Sequence, residues 1–532
     1  MGIGWIIFLL ILISWIALLY ILNRFGVLEK FNMSIYFIFL MWRTKKGRRT
    51  IDRLARFRRF WVAFANLSLI LGVVAMALMF SIVVLSTITQ LQVKTDPMPL
   101  NQILVIPGVN PIIPLWYGIL ALAIAIIVHE FSHGILTRVA DLKIKSLGLL
   151  FAVIPMGAFV EPDEEQLLAT RRRNRMRVFA AGPGSNIIFG LLCAMVFSWI
   201  FMANVVPIED GAVVVQVMKD PQCPAYEAGV RPLMEIVEID GVRIENQDDL
   251  YDFDRFDPGD TIPDMVVRDG DERIHLENLT AGVVVLSVTE DLPAQRSGIE
   301  PGMIIQSVDG NVIRASRNLS DVLANTDPGQ EVNISVLERN ASSEKYEPRS
   351  IGLVELDDVR DYYPGEDRKG FLGIQSSYLG VVYESAGQVF EGLAHPVTGA
   401  DSKEERRVNV ANYILIYPVE HQILPMSSPF TDIYEIEDSS IMSHLPVSVF
   451  WFLANIFYYL FWLNILLGTF NLLPAVPLDG GFLFRDGLHA LLIRIRPDYN
   501  SEKREQSVKV ITGLLALSIL MMLLISIFYP YT

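Results

Sequence analysis

The sequence predicts a multi-pass α-helical membrane protein with six transmembrane helices and a large external β-rich insert. Three observations predict it. The 532 residues are 52% hydrophobic and 19% charged, where a soluble domain carries about 25% charged residues. Six uncharged stretches reach the roughly 20 residues that cross a bilayer. Between the fourth and fifth lies an acidic segment, Pro207 to Ser440, with 18 basic and 45 acidic residues. The overall charge of −15 excludes nucleic acid as a partner, since binding phosphate wants a basic surface. Two cysteines, Cys193 and Cys223, exclude a disulfide framework and a four-cysteine zinc site.

The uncharged stretches run from Gly4 to Asn23, Phe60 to Val93, Pro97 to Val128, Val178 to Ile208, Ser439 to Leu478 and Val510 to Thr532. The first lacks a small-residue cleavage site and reads as a retained anchor, not a removable signal peptide. Basic residues set the orientation. Arg24 to Arg59 holds 11 basic residues against two acidic ones, Arg138 to Arg177 holds eight, and Arg485 to Lys509 holds six. In a six-span topology these segments share one side, which is then the cytosol. Both termini and the acidic segment face outside. Residues 1–110 are then two N-terminal spans with a basic cytosolic loop. Residues 111–206 and 441–532 are the two parts of a membrane core.

Two apolar stretches are too short to span. Met33 to Trp42, followed by the basic run Arg43 to Arg49, reads as an interfacial helix on the cytosolic face. Ser146 to Val160 is broken by Gly148, Pro155 and Gly157. It reads either as a surface loop or as a membrane-dipping strand or hairpin covered by protein.

The external segment repeats itself. Gly211-Ala-Val-Val-Val-Gln-Val is followed by Ala228-Gly229-Val230, Asp240-Gly241 and Asp257-Pro258-Gly259. Gly282-Val-Val-Val-Leu-Ser-Val is followed by Ser297-Gly298-Ile299, Asp309-Gly310 and Asp327-Pro328-Gly329. Short β-rich runs joined by Asp-Gly turns predict strands and tight hairpins. The pattern resembles tandem PDZ domains, at 207–280 and 281–340, which bind extended peptides along a sheet edge. Neither copy carries the usual Gly-Leu-Gly-Phe-like carboxylate loop. Residues 341–440 carry no motif that assigns them.

The chemistry concentrates in His129-Glu130-Phe131-Ser132-His133. On a helix, residues four apart share a face, so both imidazoles point at one spot with Glu130 beside them. This motif closes about 30 uncharged residues, roughly 13 Å along the helix from Arg138, the first cytosolic charge. Ionisable groups inside a span are costly and read as functional. A hydrolytic zinc site takes three protein ligands and leaves one position open. The third candidate is Asp479, in Asn471-Leu-Leu-Pro-Ala-Val-Pro-Leu-Asp-Gly-Gly481, where Pro474, Pro477, Gly480 and Gly481 break the helix. The spans bearing His129 and Asp479 both run from outside to cytosol, so both residues reach the same depth. The other histidines, His275, His395, His421, His444 and His489, are scattered.

Together with Ala181-Gly182-Pro183-Gly184-Ser185-Asn186, these motifs resemble the site-2 proteases, zinc metalloproteases that cut within the membrane. Met156 to Pro162 is similar to that family's membrane-dipping β element. The resemblance implies His129, His133 and Asp479 as zinc ligands and Glu130 as general base. It implies Asn471 as a hydrogen-bond donor to the substrate backbone or oxyanion, with Asn186 either lining the site or packing helices. The implied partners are the lipid bilayer and single-span membrane proteins, cut within their transmembrane segments in regulated intramembrane proteolysis. The rival readings are a catalytically silent membrane-helix-binding relative and a zinc transporter, but no catalytic group is missing and the spans lack a polar path.

Overall fold

The computed structural model describes residues 3–36, 38–44, 47–92, 100–152, 154–208, 211–219, 223–270, 272–340, 345–363, 367–387, 393–394, 425–428 and 430–529. His395 and His421 lie outside them. The chain forms two compact units, one from residues 1–197 with 453–532 and one from residues 198–452.

The first unit is built on helices. They are α1 (Ile3–Arg24), α2 (Arg48–Ala55), α3 (Arg58–Gln92), α4 (Leu115–Val139) and α5 (Arg172–Val196), then α6 (Val447–Phe470), α7 (Asp479–Ile495) and α8 (Ser501–Phe528). Among the described residues, five helices are long and apolar enough to cross a membrane: α3, α4, α5 with its continuation to Asn204, α6 and α8. The third expected span shifts along the chain. Pro111 and Pro114 delay the helix, which starts at Leu115 and carries the His129–His133 motif in its second half. The break expected after Asn471 is present, and α7 is a separate helix that opens on Asp479.

A four-stranded antiparallel sheet packs with these helices: β1 (Met33–Tyr36), β2 (Phe39–Thr44), β3 (Ile144–Ala152) and β4 (Ile154–Pro162), in that order across the sheet. Ser146 to Val160 is therefore a β-hairpin. Met33 to Trp42 is not the interfacial helix expected from its sequence. It is a hairpin whose second strand pairs with β3, Trp42 opposite Leu149 and Leu40 opposite Phe151. A short apolar run suits either helix or strand, and a partner edge about 100 residues downstream decides for strand. Between the helices and this sheet lies a core that includes Ile51, Ile135, Leu136, Leu147 and Val178.

The second unit contains two sheets of the same design. Its strands are β5 (Ala212–Val217), β6 (Glu235–Ile239), β7 (Thr261–Asp269), β8 (Glu272–Thr280), β9 (Val283–Val288), β10 (Ile304–Val308), β11 (Glu331–Arg339), β12 (Tyr346–Glu355), β13 (Ile374–Tyr378) and β14 (Val381–Ser385). The main strand orders are β8-β7-β6-β5-β14 and β12-β11-β10-β9-β13. The Asp-Gly turns are equivalent: Asp240 and Gly241 have φ of 48° and 76°, Asp309 and Gly310 49° and 78°. This double positive φ is what a two-residue hairpin with right-twisted strands requires.

The second sheet does not end at residue 340. β12 pairs with β11 along its whole length, and β13 completes the far edge against β9. The first sheet is completed later still, because β14 pairs with β5. Two consecutive short strands thus close the two sheets, one each, and the second copy is threaded into the first. Phe371-Leu372-Gly373-Ile374 leads into β13, and Tyr378-Leu379-Gly380-Val381 leads into β14. A continuous core joins the two sheets, with Val214, Ile236, Val284, Ile304 and Tyr378 fully buried.

Candidate metal centre

Four elements meet at the site. Residues 129 and 133 are one helical turn apart on α4, so both imidazoles face α5 and the start of α7. The His129 Nε2 lies 3.1 Å from Asp479 Oδ2, and the His133 Nε2 lies 3.2 Å from the same oxygen. The two Nε2 atoms are 3.2 Å apart. Asp479 reaches them because the chain reverses between α6 and α7. That reversal leaves no room for side chains. A Cβ on Gly480 would stand 2.2 Å from the Leu472 carbonyl oxygen, and one on Gly481 2.4 Å from the Val476 nitrogen.

The three donor atoms form a nearly equilateral triangle. Its 3.1–3.2 Å edges are close to the ~3.3 Å edge of a tetrahedron with metal–ligand bonds of ~2.0 Å. His133 donates its Nδ1–H to the Val178 carbonyl on α5, at 2.7 Å. That bond fixes the tautomer and turns the Nε2 lone pair towards the triangle. Opposite both rings stands Gly182, where a Cβ would lie 2.3 Å from His133 Nε2 and 2.6 Å from His129 Nε2. His129, His133 and Asp479 are thus a set of donors that fits one metal ion.

Glu130, next to His129 on α4, reaches β4. Its Oε2 accepts the Val160 N–H of β4 at 2.8 Å. A cleft of about 760 Å³ is lined by His129, Glu130, His133, Asn471, Asp479 and residues 157–160 of β4. Asn471 therefore shares the cleft with the triangle. Asn186 does not line it. One turn beyond Pro183, Asn186 is fully buried with its Cβ against Gly468 of α6, and neither amide atom has a hydrogen-bond partner.

Sequence reasoning missed three contributors: the Val178 carbonyl, the Val160 amide and the bare surface of Gly182. The first two are backbone groups with no residue signature. The Gly182-Pro183-Gly184 run was the available signal for the third. The other described histidines lie elsewhere: His275 pairs with Asp264 at 3.0 Å, His444 lies 3.3 Å from the Ser443 hydroxyl, and His489 meets Arg172 at 3.3 Å.

A pair of histidines and a neighbouring glutamate on α4, a helix able to cross a membrane, with one carboxylate at the start of α7, make a donor set of metallohydrolase type. The profile of Peptidase family M50 matches residues 117–518, and the chain belongs to that family, whose members are in general zinc metalloproteases. An uncharacterised protein of Methanocaldococcus jannaschii, MJ0971, is 29% identical over 250 residues, 47% of this chain and 63% of that protein. The chain thus matches less than two thirds of that relative's length. Protease RseP of Yersinia pestis is 23% identical over 425 residues, 69% of this chain and 88% of that protein.

Proposed function

We propose that this chain is a zinc-dependent intramembrane endopeptidase that cuts peptide bonds within transmembrane segments of single-span proteins, as a step in regulated intramembrane proteolysis. The observation that carries the reading is the donor triangle, 3.1–3.2 Å on each edge, with Glu130 in the same cleft. His129, His133 and Asp479 would hold the zinc. When bound, zinc lowers the pKa of a water and polarises the scissile carbonyl.

Glu130 keeps one oxygen on the Val160 amide, which leaves Oε1 to take a proton from the attacking water and pass it to the leaving amine. Asn471 hydrogen-bonds the substrate backbone or the developing oxyanion. A substrate helix has its backbone already paired, so it must unwind before it is cut. The outer edge of β4 offers the freed strand new partners. The two sheets of the second unit act as PDZ-like modules outside the membrane, a reading supported by their matching strand orders and the two Leu-Gly loops ahead of β13 and β14. Their bulk would exclude folded external domains from the entrance, and the 45 acidic residues between Pro207 and Ser440 would repel acidic ones. The catalytic residues then lie nearer the cytosol.

The test is cleavage of a single-span reporter in reconstituted membranes by the parent chain and by Glu130→Gln, with zinc content measured on both. Cleavage by the parent alone, with equal zinc in each, is the expected result. A parent chain that binds the reporter without cutting it would make this a helix-binding protein instead. Sidedness has its own test: a cysteine at Asn500 should resist an impermeant thiol reagent in intact cells, and one at Asp291 should react. Labelling in the opposite sense overturns the orientation.

A further inference from the structure

The N-terminal hairpin and the helix after it lie apart from the catalytic cleft, and nothing in the proposed chemistry uses them. Between β2, the start of α2 and the start of β3 they enclose a second cleft, of about 990 Å³. Three cations line it: Arg43 at the end of β2, Arg49 in the first turn of α2, and Lys145 on β3. Among the described residues, no carboxylate lines it. Glu161, outside that lining, lies 3.9 Å from Arg43 Nε and also accepts from the Ser146 hydroxyl. Like charges gathered in one cleft repel, and an anion among them removes that cost.

The backbone adds to the same field. Gly47, just before α2, gives the helix no side-chain cap, and its first turn holds no acidic residue, so its N-terminal amides and dipole favour a negative ligand there. Arg48 donates to the Lys145 carbonyl, which ties that first turn to β3 and keeps the cleft's walls together. The surroundings suit a bilayer surface. Trp42 lines the cleft and is 41% exposed, and Phe57 and Phe60, where the apolar part of α3 begins, are 65% and 60% exposed. Exposed aromatic side chains next to basic ones are typical of the headgroup layer.

We infer that this cleft binds a phosphate-bearing anion, supplied either as the headgroup of an acidic membrane lipid or as free phosphate. The full-length chain, solubilised in a zwitterionic detergent, is titrated with short-chain phosphatidylglycerol, short-chain phosphatidylcholine and inorganic phosphate. Phosphatidylglycerol should bind at least tenfold more tightly than phosphatidylcholine. Arg43→Gln, Arg49→Gln and Lys145→Gln should each weaken it about fivefold, and the triple variant about 100-fold. Inorganic phosphate that displaces phosphatidylglycerol at comparable concentration identifies free phosphate as a source. Failure to displace it at 100-fold excess identifies the lipid. Equal binding of the two lipids, or unchanged phosphatidylglycerol binding in the triple variant, overturns the inference. Should the triple variant not fold, Arg49→Gln alone decides, because Arg49 is exposed on α2. An unchanged affinity there overturns it too.

Discussion

Replacing Gly182 by alanine tests the metal centre without altering any ligand. The added Cβ would stand 2.3 Å from His133 Nε2 and 2.6 Å from His129 Nε2. Ordinary carbon contacts begin near ~3.5 Å, so both rings fall about 1 Å short of room. They have little freedom to retreat: His129 is 5% exposed, and His133 is pinned at Nδ1 by the Val178 carbonyl. Relief comes from turning the rings or from parting α4 and α5. Either movement breaks a triangle whose edges are 3.1–3.2 Å. Disturbing groups that only support metal ligands costs ~10–100-fold in affinity. Displacing two ligands directly should cost ~100-fold or more, about 2.7 kcal/mol. Overpacking should add a loss of ~1–3 kcal/mol in fold stability. Zinc affinity is read by competition with a chelator of known strength, and proteolysis on a single-span reporter. Gly513→Ala on α8 is the control, since nothing lies within 4 Å of its added Cβ. A Gly182→Ala protein with parental zinc affinity and parental cleavage would refute the donor geometry.

Four further outcomes follow from other contacts of the structure. Glu130→Gln should bind zinc like the parent and cut at least 100-fold more slowly, because the amide oxygen still accepts the Val160 N–H but cannot take a proton; metal analysis and reporter cleavage check both halves. Asp486→Ala should destabilise the chain by ~3–5 kcal/mol, since its carboxylate meets Arg175 through two 2.5 Å bonds with side chains 3% and 11% exposed. Asp141→Ala, which breaks an ion pair to Arg58 that is mostly exposed, should cost at most ~1 kcal/mol; denaturant unfolding of both variants beside the parent checks the two losses. Deleting 211–340 should give a protease-sensitive product, because β12, β13 and β14 lose the strands they pair with, whereas deleting 211–387 removes both sheets whole and should leave a digestion-resistant remainder.

Much of the centre was legible because its signals are local or chemically costly. His129 and His133 are one helical turn apart, and Asp479 stands out as a carboxylate in apolar sequence flanked by helix breakers. What stayed hidden depends on distant partners. Met33 to Trp42 becomes a hairpin only because β3 offers it an edge, and that edge is encoded about 100 residues later. The repeat showed two copies of one sheet, yet the strand completing the first lies beyond the whole of the second. No periodicity within 211–340 reports an exchange made by residues 374–385. Asn186 illustrates another limit. Its place in a small-residue motif fitted both the site and a helix contact, and only packing against Gly468 decides.

The contact between Glu130 and Val160 also bears on how a substrate strand would be placed. β3 and β4 pair regularly from Leu147–Val160 to Leu150–Gly157. In an antiparallel pair, alternate residues direct both N–H and C=O away from the partner. Val160 gives its N–H to Glu130, so it faces the outer edge of β4, and Ala158 two residues earlier faces the same way. Gly157 and Phe159 spend their backbone groups on β3. Glu130 therefore occupies one rung of the outer edge, and Ala158 presents the next. A peptide strand pairing with Ala158 would be held one rung from Glu130, within the cleft that Asp479 and the histidines line. Ala158→Pro removes that donor while leaving the β3 ladder intact, a substitution edge strands tolerate. Losing one backbone bond of ~1–1.5 kcal/mol should lower kcat/KM about tenfold with zinc content unchanged. Ala158→Ser, which keeps the N–H, should cut at near-parental rates. Parental kcat/KM in a folded, zinc-loaded Ala158→Pro protein would mean that the outer edge of β4 does not align the substrate.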